Sequence, residues 1–177
     1  MNYSTWTLDP DKSSVSFKIK QFEISTVNGS FSNFGGGGTI TDDFETVKFL
    51  FTVNTGSINT LNIARDKILK STSVFDSKNF PKISFLTTKI TQIGTGGKFA
   101  LVGNLTIKDV TLEHNFDVEF LGLTSTFLQN GIIDFEIFGM ISRSKFGLVL
   151  YDNQSLIDTK IADEVKVYVK SRFVKLK

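Results

Sequence analysis

Three stretches of this chain place an apolar residue at every second position, and phenylalanine dominates them. They are Val15-Phe17-Ile19, Val47-Phe49-Phe51-Val53 and Phe116-Val118-Phe120. Successive side chains of an extended chain point to opposite sides, so this spacing gathers the apolar ones on one face of a β-strand. The chain holds 18 Phe against 1 Trp, 3 Tyr and 1 His. Many strands with one oily face and few catalytic side chains predict a sheet closed around an apolar interior. That interior is either a packed core or a container for an oily ligand.

Strands are expected near residues 3–8, 13–20, 26–34, 38–42, 46–54, 82–90, 98–107, 111–121, 132–142, 146–151 and 164–174. Turn signals separate them at Asp9-Pro10-Asp11, Asn28-Gly29, Asp42-Asp43 and Gly94 to Gly97. Asn130-Gly131, between Phe127-Leu128 and Ile132-Ile133, reads as a tight hairpin. One segment departs from the pattern. Leu61, Ala64 and Ile68 recur at helical spacing, Thr60 or Asn59 can cap a helix start, and Asp66 precedes Lys70 by one turn. A meander that closes on itself, with this short helix over an open end, fits both signals. The glycine run Gly35 to Gly38 lacks the Gly-Lys-Ser/Thr of a phosphate loop and reads as a strand bend or bulge.

At 177 residues one domain spanning 1–177 is expected. The net charge of +2 offers no strong field for nucleic acid. Lys166, Lys170, Arg172, Lys175 and Lys177 cluster near the C-terminus. They form either a solvated strand face with a tail or a patch drawn to an anionic membrane. The absence of cysteine excludes disulfides and thiolate chemistry. The first residues carry no basic start and no apolar run, so a cytoplasmic protein is expected, or a periplasmic one if a signal was removed. No apolar run approaches the ~18–20 residues of a membrane helix.

His114 is the only histidine, so no His or Cys cluster exists for zinc or copper, and neither metal nor cofactor is expected. No Gly-x-Ser-x-Gly elbow is present. His114 shares its register with Leu112, Phe116, Val118 and Phe120. It is either a core histidine bonded to a polar neighbour or a polar handle inside an apolar cavity. Arg65 and Asp66 fall in the predicted helix, and Arg143 follows the apolar run Ile132 to Ile141. Each arginine is either a rim residue paired with a carboxylate or carbonyl, or a contact for a polar head group such as a phosphate.

An ordered set of motifs carries a family resemblance. It begins with Trp6-Thr7-Leu8-Asp9-Pro10, Ser13-Ser14-Val15-Ser16-Phe17 and Ser25-Thr26-Val27-Asn28-Gly29-Ser30-Phe31. It continues through Ser57-Ile58-Asn59-Thr60, Arg65-Asp66-Lys67-Ile68-Leu69-Lys70-Ser71 and Phe80-Pro81-Lys82-Ile83-Ser84-Phe85. Gly103-Asn104-Leu105-Thr106-Ile107 and Arg143-Ser144-Lys145-Phe146-Gly147 complete it. In this order and spacing, from about residue 6 to 174, the chain resembles the YceI-like family of lipid- or polyisoprenoid-binding proteins. The resemblance implies a lipocalin-like antiparallel β-barrel with a long apolar channel, binding without catalysis, and often a homodimer. This chain carries Lys12, Gln21 and Ile68 where relatives often have histidine, Glu23 where glycine is common, and His114 where an aliphatic residue is usual.

The expected function is non-enzymatic binding or carriage of an isoprenoid, an isoprenoid quinone or a fatty-acid-like amphiphile. The expected wall is Phe17, Ile19, Phe31, Phe49, Phe51 and Phe85, with Phe116, Val118, Phe120, Phe135 and Ile137 from later strands. His114 and Arg143 are its expected polar groups, and Lys18, Lys20, Lys166 and Lys170 should face water. Transient membrane contact is a corollary. A filled barrel acting through its surface, and a lipid-modifying enzyme using His114, Arg65 or Asp66, are the rival readings.

Overall fold

The structure, a computed structural model, describes residues 3–21, 24–41, 46–121, 131–150 and 161–177. Among the described residues, alternation of apolar and polar residues becomes eleven strands. The first six are β1 (Tyr3–Leu8), β2 (Ser14–Gln21), β3 (Ser25–Phe31), β4 (Phe34–Thr41), β5 (Val47–Asn54) and β6 (Ile58–Asn59). After one helix, α1 (Ile63–Lys70), come β7 (Lys82–Gln92), β8 (Lys98–Ile107), β9 (Val110–Leu121), β10 (Ile132–Ser142) and β11 (Ile161–Lys175).

The strands pair antiparallel in the order β1-β4-β5-β7-β8-β9-β10-β11, and β11 returns to β1, which closes an eight-stranded barrel. Closure depends on the length of β11. Its residues Val165 to Lys170 pair with β2, while Phe173 to Lys175 pair with β1. The hairpin β2–β3 and the short β6 therefore extend the sheet beyond the ring at one end. There α1 and the turns after it carry Leu69, Val74 and Phe75 onto the barrel core.

The other part of the barrel is filled with rings. Phe173 has no exposed surface. It meets Phe49 edge-on at 4.7 Å and Phe51 edge-on at 5.5 Å, and it stacks on Phe135 at 5.3 Å. Phe120 joins through Phe135 at 5.5 Å. Phe85 and Phe116 form a further edge-on pair at 5.0 Å. Trp6 is buried beside them, and its indole N–H donates to Ser4 Oγ at 2.8 Å, which leaves no bare donor. Lys18, Lys20, Lys166 and Lys170 are exposed on the outer face.

Four local expectations change. The glycine run is neither bend nor bulge: it lies inside β4 in unbroken register with β5, from Phe34↔Val53 to Ile40↔Val47. A Cβ on Gly38 would collide with the Lys48 carbonyl, so close backbone approach explains glycine there. The cap of α1 is Asn62, whose side chain accepts from Arg65 N at 2.9 Å, and not Asn59 or Thr60. Asp66 bonds Thr60 and is not engaged with Lys70. No strand forms at 146–150, where a 3-10 turn, Ser144–Phe146, leads into extended chain. Asp42-Asp43 and most of the expected hairpin around Asn130 lie outside the described residues; Gly131 has φ +70°.

Candidate ligand-binding site

An apolar cavity of about 360 Å³ opens at the end covered by α1. On β2, Val15, Phe17 and Ile19 reach it because they alternate inward with the solvated Lys18 and Lys20. Val27 and Phe31 face it from β3, and Val165 and Val167 from β11. Ile83, Ile107 and Ile141 complete the wall from β7, β8 and β10. The roof is Ile68 and Leu69 of α1 with Val74, Phe75 and Leu148. Its rings interlock: Phe31 lies 5.6 Å from Phe17 and meets Phe75 edge-on at 6.3 Å.

Two arginines interrupt this surface. Arg143 is held by the segment after β10: its N–H donates to the Asp163 carbonyl at 3.0 Å, and Ser144 N–H donates to the Asp163 carboxylate at 2.9 Å. Hydrogen bonds from the Ser142 hydroxyl and from Ser144 hold that carboxyl below its usual range, with the Arg143 charge adding to the effect. The guanidinium then donates to the carbonyls of Ala162, Leu148 and Ile161 at 3.0, 2.9 and 3.0 Å. A guanidinium has five N–H groups, so two are left for another acceptor. Arg65 donates through Nε to Thr60 Oγ1 and through Nη2 to the Thr60 carbonyl, both at 2.8 Å. Thr60 in turn donates its N–H and hydroxyl to Asp66 Oδ1 at 2.9 and 2.6 Å. Gln21 and Thr60 also line the cavity.

Of the expected site residues, Phe17, Ile19, Phe31 and Arg143 line this cavity. Phe49, Phe51, Phe85, Phe116, Val118, Phe120, Phe135 and Ile137 do not line it. They do face inward, but further along the barrel, where facing rings meet and fill the space. His114 is half-buried on the inner face, its ring 4.6 Å from that of Phe116, but it does not line the cavity. Its Nε2 is buried without a hydrogen-bond partner. Burial, and then the nearby Lys145 charge, lower its pKa below 6.5. Sequence reasoning missed the roof residues Val74 and Phe75, which sit in turns with no periodic signal, and Leu148, which lies in the extended chain that was expected to be a strand. Among the described residues, no group of three or more His, Asp or Glu could hold a metal ion.

Residues 6–173 match the YceI-like domain. The chain belongs to the YceI-like family. Relatives in Staphylococcus aureus include the UPF0312 protein of strain USA300, 39% identical over 82% of each chain. The UPF0312 protein of strain MRSA252 is 35% identical over 96% of this chain and 97% of its own. Among solved structures, Burkholderia cenocepacia BcnA superposes with a TM-score of 0.78 at 22% identity, covering 93% of this chain and 98% of its own. The Campylobacter jejuni YceI protein gives 0.70 at 26% identity, covering 90% and 91%. A polyisoprenoid binding domain from Saccharophagus degradans gives 0.71 at 13% identity over 97% and 98%. The YceI-like fold of this chain is thus that of an all-β barrel with one short helix. No helix among its described residues is long and apolar enough to cross a membrane.

Proposed function

We propose that this YceI-like protein binds a single-tailed amphiphile without reacting it, with the tail in the cavity under α1 and the head beside Arg65 and Arg143. The candidates are an isoprenoid, an isoprenoid quinone or a fatty-acid-like chain. The observation that carries the reading is the contrast within the cavity: an aliphatic and aromatic wall with two cationic side chains in it. Each tail methylene taken from water contributes about 0.8 kcal/mol. The volume of about 360 Å³ lies near the lower end of the ~300–1,000 Å³ of small-molecule sites. A ring-filled barrel beyond the cavity and this volume favour a tail of moderate length, or a longer one that leaves part of itself at the mouth.

The cavity wall includes no histidine, carboxylate or lysine among the described residues. Thr60 has a hydroxyl, whose partners are Asp66 and Arg65, in an arrangement that orients the arginine. Neither cavity arginine is ion-paired among the described residues, so each charge is available to a carboxylate or phosphate head. The polyisoprenoid-binding description of the Saccharophagus neighbour supports an apolar chain as the occupant.

The direct test is mass spectrometry of organic extracts from freshly purified protein. One lipid class at near-equal molar ratio to protein is expected, and Arg143→Leu should reduce its recovery. An extract indistinguishable from that of an unrelated barrel, together with no uptake of added fatty acid or isoprenoid, would overturn the reading.

A further inference from the structure

Three large aliphatic side chains stand almost wholly in solvent around the cavity mouth. Ile24 is 93% exposed, Leu61 92% and Ile63 90%. Ile24 precedes Ser25, whose strand partner is the cavity-lining Gln21. Leu61 follows the cavity-lining Thr60, and Ile63 opens α1. Ile68 links the two environments, lining the cavity while 53% exposed. Ile68 thus carries the apolar face of α1 from the cavity out to the rim.

Leu61 is held there at a cost. Its φ of +59° is one that a branched side chain rarely adopts. Hydrogen bonds on both sides impose it: Leu61 N–H donates to Asn59 Oδ1 at 2.9 Å, Thr60 is clamped by Asp66 and Arg65, and Asn62 caps α1. At 92% exposure the leucine side chain gains nothing from burial within the protein.

The charge on the rim says what that partner is. Lys20 and Lys67 are exposed, and Lys70 is partly so, beside Arg65. Of the described carboxylates near them, Asp66 is engaged by Thr60 and Asp163 by Ser142 and Ser144, while Glu164 of β11 is exposed. Aliphatic knobs set among ammonium groups match an anionic bilayer, whose phosphates meet the lysines while its acyl region receives the knobs. A protein partner would call for a flat, packable patch instead of separate projections.

We propose that the mouth of the barrel docks on an anionic phospholipid surface, with Leu61, Ile63 and Ile24 entering the interface and the cavity opening toward the lipid. This extends the binding reading and is tested apart from it. Purified protein is floated with vesicles of phosphatidylcholine alone and of phosphatidylcholine mixed with phosphatidylglycerol. The protein should float with the anionic vesicles and be released by salt. Leu61→Ser with Ile63→Ser should lower binding at least about ten-fold, and Lys67→Glu with Lys70→Glu should abolish the preference for phosphatidylglycerol. Leu86→Ser, an exposed leucine of β7, should leave binding unchanged. Leu61→Gly relieves the backbone, so it should weaken docking without lowering Tm. Equal flotation of wild type and the Leu61/Ile63 variant would overturn the proposal. So would absence of wild-type flotation, or a dimer seen by light scattering that this variant splits without any vesicle binding. Uptake of a fluorescent polyene fatty acid reads the cavity separately, so failure of docking and failure of ligand binding are distinguishable.

Discussion

The ring of Phe173 lies parallel to that of Phe135, with centroids 5.3 Å apart and planes 6° from coplanar. The two come from neighbouring strands, β11 and β10, and with Phe49 and Phe51 they form a layer of rings that fills the barrel beyond the cavity. Under the proposed function, this layer would stop a tail from passing further along the barrel.

Phe173→Ala should cost roughly 3–5 kcal/mol in denaturant unfolding, because the ring is fully enclosed and its neighbours cannot all collapse into the space. Extracts of a surviving fold should shift toward longer tails. Loss of stability with an unchanged lipid profile would mean that this layer does not limit the ligand.

Phe116 and Gly139 form a matched pair: the ring of Phe116 occupies the place where a side chain on Gly139 would begin. Gly139→Ala should destabilise by about 1–3 kcal/mol through overpacking. In Phe116→Ala the ring is gone, so adding Gly139→Ala should cost much less. A double-mutant cycle showing simple additivity would refute the pairing.

Arg143→Lys should be poorly tolerated although it keeps the charge. One ammonium cannot reach three carbonyls spread over Leu148, Ile161 and Ala162, and leaving such acceptors bare costs about 1–3 kcal/mol each where they are buried. Arg65→Lys loses a pair of bonds to a single threonine and should be milder. If both variants unfold at the same denaturant concentration, the different structural roles assigned to the two arginines are wrong.

His114 gives a pH signature. Burial first, and Lys145 second, depress its pKa below 6.5, so the folded state binds this proton less readily than the unfolded state. Its contribution is constant above about pH 6.5 and turns destabilising as pH falls below that value, levelling off once the folded-state pKa is passed. His114→Leu should keep the fold and flatten the loss of stability in this window. Ligand affinity should be indifferent to the same substitution, since the ring lies outside the cavity. A variant with an unchanged stability–pH profile would show that His114 is as free to protonate in the fold as outside it.

The barrel was legible because alternation in β2, β5 and β9 is nearly unbroken, and alternation decides which side chains face in. It does not decide how far along the axis an inward side chain lies. Phe17 and Phe31 fall where facing walls stand apart, while Phe49 and Phe135 fall where they touch, and nothing local distinguishes them. Phe173 was hidden by its neighbours: between Lys170, Arg172 and Lys175 a single phenylalanine reads as part of a charged tail. Leu61 misled in the opposite sense. Its spacing from Ala64 and Ile68 suggests a helix face, but the clamp of Asp66 on Thr60 starts the helix two residues later and turns the leucine outward. Both arginines were visible as candidates, whereas their carbonyl and threonine partners depend on chain segments that only the fold brings near.

The double engagement of β11 has a kinetic meaning. Trp6 pairs with Lys175 and Leu8 with Phe173, across almost the whole chain, while the middle of β11 holds β2. Contacts so remote in sequence are slow to form because the loop they close must lose its freedom first. During synthesis every earlier strand must wait with open edges on β1, β2 and β10 until residues 161–175 have left the ribosome. β11 is the lock of the barrel, and the interval before it arrives is when a nascent chain of this kind is most exposed to pairing with its neighbours.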